Sequence, residues 1–337
     1  MKCSLCSKRR KCFDIDALKS IFMPIISLYA NVEEFLPMQM LKDFAGEHPT
    51  LAEKIASDWD IFDDEEQAVR FLELCQNCFY YKDDARDIFD PMRLVAVEDF
   101  FYFGEYQKSS SLKDTWSELR QELQECNRFF AGRTVSSKIE EVLKTDIIKK
   151  TLHGTVMYRA RTTTMDVPYA INEMGAPPAE KSTAGRANPA GIPYLYLASD
   201  QNTAICELRP HTKERLAVGS FWLNNSVTCI DQCDPEIGSP FQHGDRLHGV
   251  ISVIGFLRHL GHELSVPIGN GRRDYEYLPT QYLCEMIKNL GYDGVAYSSG
   301  LGKGYNIALF HPSMASCFEI KLVEVRRVEI VTDDIIP

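Results

Sequence analysis

Polar residues stand in this 337-residue chain at places where short strands and a helix ought to be apolar. Arg159 follows Tyr158 inside the alternating stretch 155–161. Arg186 lies in Gly185-Arg-Ala-Asn188-Pro-Ala-Gly191, a run of turn-forming residues that leads into Tyr194-Leu-Tyr196-Leu. Glu207 sits in the otherwise apolar Thr203-Ala-Ile-Cys-Glu-Leu208, and Ser298-Ser299 end the strand-like Gly294-Val-Ala-Tyr297. A structural Arg–Glu pair would account for one arginine and the glutamate. Two arginines, a glutamate, a serine and two tyrosines at strand ends are more than that reading needs. Together they describe a pocket with cations for phosphates, aromatic faces for flat rings and one carboxylate beside the chemistry.

Other chemistry is poorly supported. In Gly300-Leu-Gly302-Lys-Gly304 the third glycine of a GxGxxG would fall on Tyr305, and no GxxxxGK[ST] exists, so this stretch reads first as a plain turn. Cys3, Cys6 and Cys12, with the distant Cys75-x2-Cys78, could offer thiolates to a structural zinc. The gap between the two groups is too long for a compact zinc ribbon, and Cys75 and Cys78 fit an amphipathic helix as small hydrophobes. No metal is therefore expected. His259-x2-His262 reads as part of a helix end.

The elements that must position these residues change character near residue 150. Residues 1–150 hold 3 of the 20 Gly and 4 of the 16 Pro. A helical domain over 1–150, followed by a strand-and-loop domain over 151–337, is the natural expectation. Thr50-Leu-Ala-Glu53 and Ser137-Lys-Ile-Glu140 fit capping boxes. Leu112, Trp116, Leu119, Leu123, Cys126 and Phe130 share one helical face, as do Val69, Leu72 and Cys75. Beyond the break, 155–161, 194–198, 227–231, 294–298 and 306–310 read as strands, with helices over 203–209, 247–260 and 280–290. Residues 317–331 alternate long enough for a strand pair or one long strand. The fold class is α+β, an all-helical N-terminal domain before a mixed α+β domain.

Composition limits the setting. Hydrophobic residues make up 45% and charged residues 25%, values of a globular chain. The net charge of −11 is spread over both parts, 21 Lys+Arg against 28 Asp+Glu before the break and 16 against 20 after it. A nucleic-acid partner is therefore disfavoured, although a small basic pocket is compatible with that balance. Eleven cysteines and the lack of a leading apolar segment point to a reduced, cytoplasmic setting. The apolar stretch 21–30 is too short for a membrane span and contains Pro24.

Residues 155–311 resemble the RES-domain family. The resemblance is carried by Tyr158-Arg-Ala-Arg161, 185–197, Thr203-Ala-Ile-Cys-Glu207, Thr280-Gln281 with Glu285, and 291–299 through Asn306-Ile-Ala-Leu-Phe310. More loosely, Cys12-Phe13 and the helix ending Asn127-Arg-Phe-Phe130 resemble the helical HEPN-like segment that precedes RES in part of the family. The resemblance implies an ADP-ribosyltransferase-like fold and NAD+ as the substrate, with no further cofactor. It places the family's arginine, glutamate and serine on Arg159, Glu207 and Ser299, with Ser298 as the neighbouring candidate. Its second arginine and its tyrosine fall on Arg186 and Tyr196. Asn188, Gln281 and Asn306, inside the matching stretches, are the further expected NAD+-binding residues.

On that reading Glu207 stabilises the cation that forms as the nicotinamide–ribose bond breaks, the arginines hold the diphosphate, Tyr196 stacks on nicotinamide and Ser299 bonds the ribose or amide. Water as acceptor gives a glycohydrolase, phosphate a phosphorylase, a macromolecule a transferase. Ile205, where many arginine-directed transferases carry a second acid, speaks for consumption of free NAD+. The family includes toxins, so a toxin or defence effector restrained by an antitoxin or a trigger acting on the first domain is expected, and a homo-oligomer is compatible. A HEPN-type RNase is disfavoured, because no histidine has an arginine at the Arg-x4–6-His spacing. A sensor that binds NAD+ without turnover is the non-enzymatic alternative.

Overall fold

The computed structural model describes residues 15–31, 50–59, 61–62, 66–72, 95–97, 110–128, 133–144, 148–164, 169–233, 235, 237–265 and 273–328. The chain forms two compact units, 1–111 with 237–255, and 112–236 with 256–337. The compositional break near residue 150 falls inside the second of them.

The first unit contains α1 (Ile15–Ile26), α2 (Leu51–Asp58), α3 (66–72) and a short antiparallel pair, β1 (Tyr29–Asn31) with β2 (Val95–Val97). That pair is the departure from an all-helical expectation. The capping box expected at α2 is present: Thr50 Oγ1 accepts from the Glu53 amide at 3.3 Å and Glu53 Oε2 accepts from the Thr50 amide at 2.5 Å. Ile25, Leu28, Leu51, Ile55 and Phe71 bury together with Leu247 and Ile251. A segment about 180 residues further along the chain than α3 thus completes this core.

The second unit carries α4 (Ser110–Gln121, entering from Leu112), α5 (Arg133–Leu143) and an eight-stranded sheet. The strands are β3 (Lys149–Leu152), β4 (Val156–Thr162), β5 (Leu195–Ala198), β6 (Arg215–Leu223), β7 (Val227–Asp231), β8 (Gly294–Ser298), β9 (Tyr305–Leu309) and β10 (Ala315–Glu324). Their order is β10-β6-β4-β5-β9-β8-β7-β3, antiparallel throughout except for the β7–β8 pair. Helices α6 (Gln201–Cys206), α7 (Leu247–Ser265, from Phe256 onward in this unit), α8 (Arg273–Glu276) and α9 (Leu278–Asn289) complete it. The fold is α+β, and the alternating tail is one long strand, β10, with a register shift between Cys317 and Glu319. Among the described residues no helix is long and apolar enough to cross a membrane.

Two local expectations are corrected. Ser137 is not a cap, because α5 has already begun at Arg133. Trp116, Leu119 and Leu123 are buried as the helical stripe requires, but Cys126 is exposed. The cause is a π-helical turn over Glu122–Cys126, closed by the Asn127 amide donating to the Glu122 carbonyl at 2.7 Å. Bonding five residues back widens the turn and rotates later residues off the original face. Phe129 and Phe130 lie outside the described residues, as do Cys12 and Phe13.

Candidate active site

The site is built where α6 meets the middle of the sheet. Ala204 of α6 packs on Ala160 of β4, Ala198 of β5 and Val218 of β6. Small side chains let so short a helix lie close to the strands, and Glu207 follows its last turn directly. Asp200 starts α6: its carboxylate accepts from the Thr203 amide at 2.8 Å, from Thr203 Oγ1 at 2.7 Å and from Ser199 Oγ at 3.1 Å. Burial acts to raise the Asp200 pKa, but these hydrogen bonds outweigh it and hold it below the usual carboxylate range.

Glu207 Oε1 accepts two bonds of 2.6 Å, one from Ser299 Oγ and one from Asn306 Nδ2. A carboxylate at a helix C-terminus meets the negative end of the backbone dipoles, so two donors on one oxygen fix a group that the helix alone would not hold. Oε2 has no partner among the described residues and is free to meet a ligand. Of the two adjacent serines, Ser299 is the one that reaches Glu207. Its hydroxyl also accepts from the amides of Leu301 at 3.2 Å and Gly302 at 2.8 Å. Ser299 is therefore occupied with Glu207 and its own loop, and the cavity lining does not include it. In this arrangement its hydroxyl holds Glu207 against the loop that follows β8.

The glycines after Ser299 explain themselves by what a side chain would strike. A Cβ on Gly302 would stand 2.8 Å from Thr203 Cα, and one on Gly304 would stand 2.2 Å from Ser199 Oγ. Their smallness lets the loop lie on the start of α6, where Gly304 N donates to Thr203 Oγ1 at 3.1 Å. The stretch is a turn packed on its own chain.

A cavity of about 380 Å³ opens beside Glu207, a size that suits a small-molecule ligand. Arg159, Arg186, Tyr196 and Asn306 line it, and Tyr158, Tyr277 and Tyr297 add aromatic walls. Arg159 Nη1 donates to the Met174 carbonyl at 3.2 Å and the Gly175 carbonyl at 2.5 Å. Burial, and then the neighbouring charge of Arg161, draw its pKa down to about 10, so it stays charged at neutral pH. Arg186 donates to the Leu264 carbonyl in the last turn of α7. Each arginine is thus tethered by one nitrogen while the remaining N–H groups stay available.

Asn188 and Gln281 do not line the cavity but brace the loop that presents Arg186. Gln281 Nε2 donates to the carbonyls of Gly185 at 2.8 Å and Asn188 at 3.0 Å, while Thr280 Oγ1 donates to the Arg186 carbonyl at 2.7 Å. Asn188 Nδ2 bonds the Thr183 and Ile192 carbonyls, and its Oδ1 accepts from Tyr196 Oη at 2.7 Å. Burial raises the Tyr196 pKa, keeping that phenol a donor. A Cβ on Gly185 would lie 2.5 Å from Asn188 Oδ1, which is why glycine stands there. Tyr277 escapes sequence reasoning because it stands in the aperiodic Tyr275-Glu-Tyr277 just ahead of α9. Tyr297 is legible only as an apolar position of β8.

Among the described residues no group of three or more His, Cys, Asp or Glu is placed to hold a metal ion. Cys3, Cys6 and Cys12 lie outside those residues. His259 stands 3.7 Å from Glu263, one turn on in α7, and that carboxylate also accepts from Trp116 Nε1 at 3.2 Å and Arg120 at 2.8 Å.

No curated protein matches the chain. Among solved structures it is similar to a chain of the Mycobacterium tuberculosis MbcT–MbcA toxin–antitoxin complex, at 12% identity and a TM-score of 0.32, covering 56% of this chain and 92% of that one. The profile of the RES domain matches residues 156–332, more than half of the length, and the chain belongs to the RES-domain family.

Proposed function

We propose that this protein consumes NAD+ by cleaving its nicotinamide–ribose bond. The observation that supports this best is the Glu207 carboxylate, held through one oxygen by Ser299 and Asn306 and free at the other, in the same cavity as Arg159 and Arg186. As the C1′–N bond breaks, its electron pair leaves with nicotinamide and positive charge grows on the ribose. A fixed carboxylate stabilises that charge without reorganising. The arginines suit the diphosphate, whose oxygens match their planar forks, and the tyrosine walls suit the nicotinamide ring. Water or inorganic phosphate then adds at C1′ and loses a proton, giving ADP-ribose or its 1-phosphate.

Such an activity drains a central metabolite, and with the RES assignment it supports a toxin or defence effector kept in check by a partner or trigger. The test is nicotinamide release from NAD+ by the purified full chain and by Glu207→Gln, with and without phosphate, and with labelled NAD+ to detect transfer to protein. Glutamine keeps an acceptor for Ser299 and Asn306 while removing the charge, so release should fall about 100- to 1000-fold. NAD+ binding with no release from the unmodified chain would overturn the proposal in favour of a sensor. Label on protein in place of free product would make the enzyme a mono-ADP-ribosyltransferase.

A further inference from the structure

Arg159 lines a second cavity as well as the first. This one measures about 540 Å³ and is bounded by Arg161, Tyr169, Glu173, Pro177 and Lys181. Arg159 and Arg161 are two apart on β4, so their side chains leave the strand on the same face. Among the described residues neither makes an ion pair with a carboxylate: Arg159 donates to the carbonyls of Met174 and Gly175, Arg161 to the carbonyl of Glu173. The Arg161 guanidinium also lies 4.7 Å from the centre of the Tyr169 ring.

Among the described residues that line this cavity Glu173 is the one carboxylate, set against the guanidiniums of Arg159 and Arg161 and the Lys181 ammonium. Glu173 Oε2 accepts from the Ala170 amide at 2.8 Å and so closes the short helical turn Ile171–Met174. Lys181 adds a third cation and is exposed. Carbonyl oxygens orient these guanidiniums without neutralising them, so two like charges and a lysine share one concave wall. In a chain of net charge −11 that arrangement stands out against the overall balance. A carboxylate ligand would match a single guanidinium fork. A phosphate offers three oxygens and up to two charges, enough to bridge both.

We propose that this second cavity binds a phosphate-bearing group seated on the Arg159–Arg161 pair, with Lys181 as an auxiliary cation. The group has two sources: the far part of an NAD+ molecule occupying the first cavity, which rests on the function proposed above, or a separate phosphate-bearing ligand, which does not.

The experiment is calorimetric titration at fixed ionic strength with inorganic phosphate and with ADP. It uses the full chain, Arg161→Gln and Lys181→Gln, with melting temperatures to confirm that both variants fold. Inorganic phosphate or ADP should saturate the unmodified chain, with affinity lowered about tenfold in Arg161→Gln and severalfold in Lys181→Gln. Phosphate that still binds NAD+-loaded Glu207→Gln protein identifies a separate ligand. Mutual exclusion, with a raised KM for NAD+ and unchanged kcat in Arg161→Gln, identifies the dinucleotide. Probes that fail to saturate the unmodified chain, or affinities that both variants leave unchanged, overturn the proposal. Binding is read without turnover, so loss of nicotinamide release with phosphate binding intact would sink the catalytic reading and leave this site standing.

Discussion

Ser299 Oγ donates to Glu207 Oε1 across 2.6 Å, while the amides of Leu301 and Gly302 donate to Ser299. The serine is a relay that ties the carboxylate to the backbone of the following loop. Ser299→Ala removes one of two donors on that oxygen and leaves Asn306 alone to aim it. A small misplacement of a reacting group costs up to roughly 100-fold, so kcat for nicotinamide release should drop by about that factor with KM little changed. The cysteine variant would rescue little, because a thiol is a weak donor. An alanine variant of native activity would remove Ser299 from the machinery.

Gly302 tests the same relay from behind. Alanine there would bring Cβ to 2.8 Å from Thr203 Cα, a backbone atom that cannot swing away. Overpacking of this kind costs about 1–3 kcal/mol. The loop should lift from α6, lowering both the melting temperature and the rate, whereas Gly154→Ala, with nothing within 4 Å but a left-handed φ of +61°, should touch stability alone.

The α+β class and the charged residues of the first cavity were legible because charged side chains in strand and helix patterns are conspicuous: Arg159 in β4 and Glu207 after α6 interrupt otherwise apolar positions. Their division of labour was not. Nothing in composition separates a residue that lines the cavity, such as Asn306, from one that braces a loop, such as Asn188, since both are buried asparagines. The π-turn at Glu122–Cys126 left no trace in the hydrophobic stripe, and Leu247 and Ile251 join a core built from residues 15–72 through contacts that no local pattern encodes.

Asp200 should make stability depend on pH. Its folded pKa lies below the unfolded value, so its contribution is complete above roughly pH 4 and is lost as pH falls through the folded pKa. Asp200→Ala removes the cap of α6 and should cost about 1 kcal/mol at pH 7, near the usual value for a lost N-cap. Asp200→Asn keeps an acceptor and should cost less while flattening the acid side of the profile. Denaturant midpoints between pH 3 and 7 measure both, and an Asn variant with the native acid slope would assign that slope to other carboxylates.

Gln281 separates bracing from binding. Its amide holds the carbonyls of Gly185 and Asn188 from α9, yet it does not line the cavity. Gln281→Leu keeps the bulk and takes the donor from the half-buried Gly185 carbonyl, while the Asn188 carbonyl keeps the Gly185 amide at 2.9 Å, a loss of about 1 kcal/mol. The 185–188 loop then presents Arg186 less firmly, which under the proposed function should raise KM for NAD+ several-fold while kcat, assigned in that proposal to Glu207, changes little. Gln281→Glu provides the contrast, because its carboxylate cannot donate to either carbonyl and sets a buried negative charge against both carbonyl oxygens. The glutamate variant should lose more stability than the leucine variant. Should Gln281→Leu instead depress kcat with KM unchanged, the loop would be acting on the bond-breaking step and the bracing role assigned here would be wrong.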